Sequence, residues 1–187
     1  MISALDDKNN TASTETASLL PARVNSDLDR VLTVKQIKSG EFQSWAESLV
    51  DLPAGALFAR IEGVERTSKP TWSSVQAGRD LHIELQSNLV YINHSCVPNL
   101  EMDMERMEVR VSRSQDLKKG DKLTFFYPST EFRMAQPFDC WCNAGEGVCL
   151  GRITGAESVD PAKLDGYWIN GYIKEMLEEV SKKKSHL

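Results

Sequence analysis

The stretch NHSCVPN at residues 93–99 places an amide, an imidazole and a thiol close together, followed by a proline. A proline lacks a backbone N–H, and its ring clashes with a helix that continues through it, so no helix is expected to pass through this segment. We expect Pro98 and Asn99 to close a turn. The thiol of Cys96 raises a further question, because the three other cysteines of the chain lie far away in sequence.

Those three cysteines lie in CWCNAGEGVC, residues 140–149, with the spacing C-x-C-x6-C. Thiolate-rich sites with four ligands are the usual structural form of zinc, and the glycines permit the turns of a loop that wraps an ion. Cys140, Cys142 and Cys149 supply three ligands, and Cys96 is the one thiol left for a fourth. Four thiolates leave no open position for water, so the pattern predicts a structural Zn²⁺ rather than a catalytic one.

Two other interpretations of the cysteines stay open, namely buried free thiols and a redox site. The C-x-C spacing differs from the C-x-x-C pattern of thiol redox proteins. MISALDDKNN at the N-terminus has no basic and no apolar region of a secretory signal, and no stretch approaches the ~18 apolar residues of a membrane span. We therefore expect an intracellular protein of the nucleus or cytoplasm, with no membrane partner, where reducing conditions favour metal-bound thiols.

The composition predicts one globular domain with a tail. The chain has 187 residues, 41% of them hydrophobic and 26% charged, which is enough to bury a core. Its net charge of −5 argues against direct nucleic-acid binding, which usually needs a basic face, whereas an acidic surface attracts a basic peptide. Residues 1–27 are rich in Ser, Thr, Asn, Asp and Ala without periodicity, so we predict a mobile tail there.

Hydrophobic periodicity predicts several strands followed by a helical C-terminus. A short helix is expected over residues 40–50, because Phe42, Trp45 and Leu49 share one helical face. From Pro161 onward apolar residues recur at helical spacing, with Asp160 as the N-cap. Strands are expected in ALFARI, LHIEL, MEVRV and LTFFY, with a turn at 119–121, a loop or small insert over 63–80 and a further loop over 128–160.

Three segments together resemble the SET-domain family. YINHSCVPN (91–99) and LKKGDKLTFFY (117–127) resemble its two C-terminal signature motifs, and CWCNAGEGVCLG (140–151) resembles the post-SET cysteine segment that follows them. The resemblance implies a mainly β fold with some helix, built from small curved β-sheets with a pseudoknot. It implies a SET-like domain over 28–135, a post-SET zinc segment over 136–155, and a C-terminal helix with a basic end over 156–187. In that family the cysteine of the first motif joins the post-SET cysteines on one zinc ion.

The resemblance also implies a methyltransferase that uses S-adenosyl-L-methionine as donor and a protein lysine side chain as acceptor. Tyr127 matches the catalytic tyrosine, whose hydroxyl orients the amine, and a core tyrosine is the alternative. Phe125 matches a substrate-channel position where Phe leaves room for more than one methyl group. The remaining implied residues are Asn93, His94 and Trp141, which with Tyr127 contact the donor, and Tyr91, which lies in the channel.

Packing roles stay open for several of these residues. His94 can be a satisfied histidine that pins the pseudoknot, Trp141 can be a packing residue, and Tyr91 can belong to the core. Two features also depart from the family pattern. No Gly-x-Gly turn precedes Leu52, since KSGEF (38–42) holds one glycine, and Phe126 stands where an acidic residue is usual.

The function therefore has two further candidates. One is a SET-like binding or scaffold module that has lost methyl transfer, which the missing Gly-x-Gly turn favours. The other is a SET-like enzyme that acts on an unidentified small molecule, which the lack of any flanking reader domain in the sequence favours. Donor affinity distinguishes the module from an enzyme, and the nature of the labelled product distinguishes the two kinds of enzyme.

Overall fold

The computed structural model describes residues 27–36 and 44–185. The tail predicted over residues 1–27 therefore lies outside the described residues, except for Asp27. None of the helices in these two ranges is long and apolar enough to cross a membrane.

The strands are β1 Leu32–Gln36, β2 Ser44–Ser48, β3 Leu57–Arg60, β4 Val64–Thr67, β5 Ser74–Gly78, β6 Leu81–Leu85, β7 Asn93–His94, β8 Leu100–Asp103, β9 Glu108–Val111, β10 Thr124–Phe125, β11 Phe138–Asp139 and β12 Arg152–Ile153. The α-helices are α1 Leu28–Val31, α2 Pro161–Leu164 and α3 Gly171–Ser185, and 3-10 helices cover Asn88–Tyr91, Tyr127–Ser129 and Ala156–Ser158.

The main sheet has five strands in the order β3-β9-β8-β10-β7. Strand β10 lies between β7 and β8 and runs parallel to both, with Phe125 opposite His94 on one side and Leu100 on the other. Because β7 and β8 follow each other in sequence, their connection at residues 95–99 must cross β10. This crossing is the pseudoknot that the resemblance implied. It brings NHSCVPN against the strand that leads to Tyr127.

Strands β1 and β2 form an antiparallel hairpin in which Leu32 pairs with Ser48. The helix predicted over residues 40–50 is therefore wrong where the structure describes it. Ala46 and Ser48 are both buried, and this two-residue period is that of a strand with one face on the core. Phe42, on which the helical pattern partly depended, lies outside the described residues.

A three-stranded sheet with the order β4-β6-β5 covers another side of the core. The prediction of a strand in LHIEL is confirmed by β6, but the loop predicted over 63–80 is wrong because it contains β4 and β5. These two strands are short and largely polar, so periodicity does not reveal them. They become strands because each pairs with one edge of β6, as in the pairs of Val64 with Leu85 and Gln76 with His82.

Apolar side chains form two packed clusters. The larger one fills the space between the sheets and includes Leu89, Ile92, Leu123 and Phe125. The smaller one packs α3, through Ile173, against the segment that follows β10.

The helical C-terminus is confirmed only in part. Asp160 caps α2, accepting a hydrogen bond from the Ala162 N–H with Pro161 at the first helical position. The helix then ends at Leu164, near Gly166, whose φ is 94°.

Candidate active site and metal centre

The four cysteines lie together in the structure. The sulfur atoms of Cys96, Cys140, Cys142 and Cys149 are all within 4.8 Å of one another, and those of Cys96 and Cys140 are 3.9 Å apart. A tetrahedral zinc ion with bonds of about 2.3 Å to sulfur separates its ligands by roughly 3.8 Å, so this donor set fits one. None of the four forms a disulfide. The convergence of Cys96 on the post-SET segment, predicted from the sequence, is confirmed.

Backbone groups around the cluster point at its sulfur atoms. The N–H of Leu150 donates to the sulfur of Cys96 at 3.4 Å, and the N–H of Cys142 donates to that of Cys140 at 3.4 Å. Such donors stabilise thiolates and orient them as ligands. Burial raises the pKa of the Cys96 thiol to about 11, so a bound cation is what would hold it as a thiolate.

His94 connects the cysteine cluster to Tyr127. Its Nδ1 accepts a hydrogen bond from the backbone N–H of Tyr127 at 3.2 Å, and its Nε2 lies 3.4 Å from the sulfur of Cys96. The proton of a neutral ring is therefore on Nε2, where it can be donated to sulfur. Burial lowers the pKa of His94 to about 4, which keeps the ring neutral. Both ring nitrogens are therefore engaged within the protein.

Tyr127 is held by polar and aromatic contacts at once. Its hydroxyl donates to the carbonyl oxygen of Ile92 at 3.2 Å, and its ring centroid lies 4.6 Å from that of Phe125 and 5.9 Å from that of Phe138. Burial raises the pKa of Tyr127 well above its ordinary value, and the charge of Glu131 adds to the shift. The hydroxyl therefore stays protonated and serves as a positioned dipole rather than a base.

A cavity of about 260 Å³ opens beside Tyr127, between one end of β5 and the segment before the cysteine cluster. Phe125 and Tyr127, both predicted site residues, are part of its wall. Tyr91 and Trp141 are not among the residues that line it. Tyr91 packs against the larger core cluster, while Trp141 is 76% exposed on the cysteine loop. The lining residues are 71–75, Leu85, Leu89, Val90, Ile92, Phe125, Tyr127, Glu131 and 134–138.

Asn93 lies at the end of the sheet beside the β1–β2 hairpin. Its side-chain amide donates to the carbonyl oxygen of Ser44 at 2.9 Å. Ser44 immediately follows the segment that holds KSGEF, so the hairpin and Asn93 meet at this point. KSGEF itself lies outside the described residues. The carbonyl oxygen of Ile92, the residue before Asn93, accepts the hydroxyl of Tyr127, so this end of the sheet also adjoins the cavity.

The departure at Phe126 has a packing explanation. Its side chain is 2% exposed and stacks on Tyr167, with ring centroids 3.8 Å apart and an interplanar angle of 9°. The hydroxyl of Tyr167 donates to the carbonyl oxygen of Cys96 at 2.6 Å. A carboxylate in the place of Phe126 would be buried against this ring without a partner, which costs several kcal/mol. The apolar side chain at position 126 therefore suits the presence of Tyr167, which the C-terminal segment supplies.

Sequence reasoning missed Glu131, a buried carboxyl group in the cavity wall. It accepts a hydrogen bond from the backbone N–H of Gln76 at 2.7 Å, while the side-chain oxygen of Gln76 accepts one from the N–H of Phe132 at 2.9 Å. Burial raises the pKa of Glu131 to about 7. No local pattern marks this residue, because its burial depends on β5, which sequence analysis assigned to a loop.

Comparison with known proteins identifies the family. The SET domain family matches residues 29–128, more than half of the chain. The chain belongs to the SET-domain family. Methyltransferase flvH of Aspergillus flavus is 51% identical to this SET-domain chain over 146 residues, which are 78% of the chain and 81% of that protein. The putative histone-lysine N-methyltransferase ASHH4 of Arabidopsis thaliana is 31% identical over 101 residues, 52% of the chain and 26% of that protein.

Solved structures similar to the SET-domain chain include two of KRYPTONITE. One is a complex with mCHG DNA and SAH, with a TM-score of 0.48 and 21% identity. The other also holds an H3(1–15) peptide, with mCHH DNA, at a TM-score of 0.46 and 21% identity. Each match covers 65% of this chain and 29% of the other. The family match and the relatives flvH and ASHH4 support a methyltransferase.

Proposed function

We propose that this SET-domain protein is an S-adenosylmethionine-dependent N-methyltransferase whose acceptor is a lysine side chain of another protein. The observation that carries the proposal is the position of the Tyr127 hydroxyl. It is fixed by the Ile92 carbonyl at the wall of a cavity large enough for a side chain. The family match and the methyltransferase relative support the reaction type.

S-adenosylmethionine supplies a methyl group on a positively charged sulfur, which an amine displaces along one line. The chain's task is to hold the neutral amine on that line and to keep water away. The Tyr127 hydroxyl stays protonated, so it can orient the amine without taking its proton for itself. The apolar walls from Leu85, Leu89 and Phe125 enclose an aliphatic stem and exclude water.

The donor would be held on the other side of Tyr127 by the side chain of Asn93, the backbone of His94 and the ring of Trp141. Trp141 is exposed and sits between two cysteines of the cluster, so folding of that loop decides where the ring lies. The four cysteines would hold structural zinc. The metal then acts on the reaction only through the positions of Trp141 and, by way of His94, of Tyr127.

A basic protein segment in the nucleus or cytoplasm is the proposed partner. The net charge of −5 favours association with lysine-rich segments. A free small-molecule amine is the second source of the same acceptor chemistry, and the cavity of about 260 Å³ has room for one.

The experiment is transfer of a labelled methyl group from S-adenosylmethionine by zinc-replete protein. Histones and a bulk protein extract form one arm, and free primary amines form the other. Excess S-adenosylhomocysteine is the matched control, since it should block specific transfer. Label on protein lysine supports the proposal, and label on free amines alone moves the acceptor to small molecules. No label in either arm, from protein that binds the donor, contradicts methyl transfer.

A further inference from the structure

The cavity beside Tyr127 has one buried acidic group in its wall. Glu131 is 6% exposed, and the remaining lining is aromatic, aliphatic or carries neutral polar groups. No ion pair among the residues that the structure describes includes Glu131, although its charge reaches Tyr127 and Tyr172, whose pKa values it helps to raise. A buried carboxylate without a cation is costly, and such charges in proteins are usually paired.

The structural task of Glu131 does not require a charge. Its carboxylate accepts the N–H of Gln76, and the amide of Gln76 performs the reciprocal task by accepting the N–H of Phe132. An amide at position 131 could accept the same hydrogen bond without the desolvation penalty of an ion. Above about pH 7, where Glu131 is ionised, its charge has no cation partner among the residues that the structure describes, and the cavity is the place where one can reach it.

We propose that Glu131 is the recognition group of the cavity and that it selects a primary aliphatic ammonium group. Leu85, Leu89 and Val90 line the same cavity and suit the hydrocarbon stem of such a ligand. Trp72 lies in the wall and is 75% exposed, so its ring can cover the stem at the cavity mouth. This inference rests on the proposed function for the identity of the reaction. The selection of a charged ligand by Glu131 is a separate claim with its own test.

A lysine side chain and a free amine share this chemistry, so both serve as probes. Ligand-observed NMR titration would use N-acetyl-lysine methylamide against its neutral isostere N-acetyl-norleucine methylamide, and n-pentylamine against n-pentanol. The protein is zinc-replete and carries S-adenosylhomocysteine, whose own binding is measured first. The native chain should bind at least one amine roughly tenfold or more tightly than its isostere, as expected of a charge-assisted contact.

The variant Glu131→Gln keeps the acceptor for the Gln76 N–H and removes the charge. It should bind amine and isostere equally. Glu101→Gln is the matched control, because Glu101 is also a largely buried carboxylate that accepts a backbone N–H, from Arg113, but lies outside this cavity. That variant should keep the native preference.

The outcomes separate the two proposals. Amine preference that survives in Glu131→Gln, or that is absent from the native chain, overturns the role of Glu131 while leaving methyl transfer open. Failure of S-adenosylhomocysteine to bind contradicts the proposed function, and the amine titrations still test Glu131. The amine that is preferred, lysine derivative or pentylamine, identifies the source of the acceptor.

Discussion

Two consecutive segments of the chain are held in place by different forces. Residues 123–132 contain Leu123, Phe125, Phe126 and Phe132, all buried in one or other apolar cluster. Residues 133–152 are all described by the structure, and not one of them is buried. The first segment carries Tyr127 and the second carries three of the four clustered cysteines. Packing alone can hold the first segment, whereas the second has no buried residue and depends on the cysteine cluster, whose four sulfur atoms could hold an ion.

The two parts of the site therefore owe their order to different interactions. Hydrophobic burial fixes the part of the cavity wall that residues 123–132 supply whether or not a metal is bound, whereas the part from residues 134–138 and the cysteine loop have little of it. The two segments meet through His94, which contacts the sulfur of Cys96 and the backbone of Tyr127. Loss of metal should therefore disorder the loop fully and disturb the tyrosine only slightly.

The largest effect is expected from the double substitution of Cys140 and Cys142 by Ser. It removes two of four ligands, so the zinc should be released and residues 138–155 should lose their amide protection, while 123–132 stay protected. Structural zinc sites supply on the order of 10 kcal/mol to such segments, which packing cannot replace here. Metal analysis and hydrogen exchange would measure the two changes.

Chelation of the native protein followed by return of zinc is the control for the cysteine variant. Protection of 138–155 should be lost and then recovered. Unchanged metal content in the double variant would rule out the four-thiolate site, and loss of protection in both segments would show that they are not held independently.

The next effect in size is the loss of methyl transfer in Tyr127→Phe. The substitution removes the hydroxyl that the Ile92 carbonyl holds and leaves the packed ring in place. Removal of one positioned polar group from an active site lowers turnover about 100- to 1000-fold. Steady-state kinetics and thermal unfolding would show lost turnover with a native fold.

Tyr91→Phe is the matched control for Tyr127→Phe. Tyr91 was predicted to lie in the substrate channel but packs against the core outside the cavity, so its hydroxyl should not affect turnover. Equal losses in the two variants would contradict the placement of the site at Tyr127.

The substitution Glu131→Gln is expected to have a smaller effect, which is a change in the free energy of unfolding with pH. Burial raises the pKa of Glu131 from 4.5 to about 7, so the native fold binds this proton more tightly than the unfolded chain does. The stability that the protonated carboxyl group of Glu131 contributes is complete below pH 4.5 and is lost as pH rises through 7. The loss amounts to at most roughly 3–4 kcal/mol. Tyr127 and Tyr172 beside it have raised pKa values and stay neutral over this range.

Urea unfolding at pH 5 and pH 8 would measure this effect in the native chain and the variant. Glu131→Gln should be the more stable of the two at pH 8, and the difference should shrink at pH 5. The same pH dependence in both chains would mean that Glu131 does not carry the proton in question.

The smallest effect is expected from Trp72→Ala. Trp72 is 75% exposed and lies at the cavity wall, so its removal should change the free energy of unfolding by less than about 0.5 kcal/mol. The KM for the amine should rise several-fold, because the indole ring no longer covers the hydrocarbon stem of the amine. A large loss of stability would show that the ring packs against the protein rather than against a ligand.

The convergence of the four cysteines could be predicted from sequence because its signals are local and few. Four cysteines allow one obvious set of ligands, and the C-x-C spacing places two of them on one turn. The strand that begins at Leu57 and the cap at Asp160 were also predicted correctly, since each depends on residues next to it in sequence.

The rest depends on partners that sequence order does not reveal. Strand β2 carries a pattern that suits a helix, and only its pairing with β1 makes it a strand. Strands β4 and β5 are polar and need β6 between them. Glu131 becomes notable only when Gln76, more than fifty positions earlier, covers it. The cavity beside Tyr127 was therefore harder to predict than the cysteine cluster.

The most direct test of methyl transfer is calorimetric titration of S-adenosylmethionine and S-adenosylhomocysteine into zinc-replete protein. Binding of both at one site with affinities on the order of micromolar is the result expected of a methyltransferase. It would show that the donor pocket forms although KSGEF has only one glycine. No binding to folded, metal-loaded protein would contradict methyl transfer and favour a SET-like scaffold that has lost its reaction.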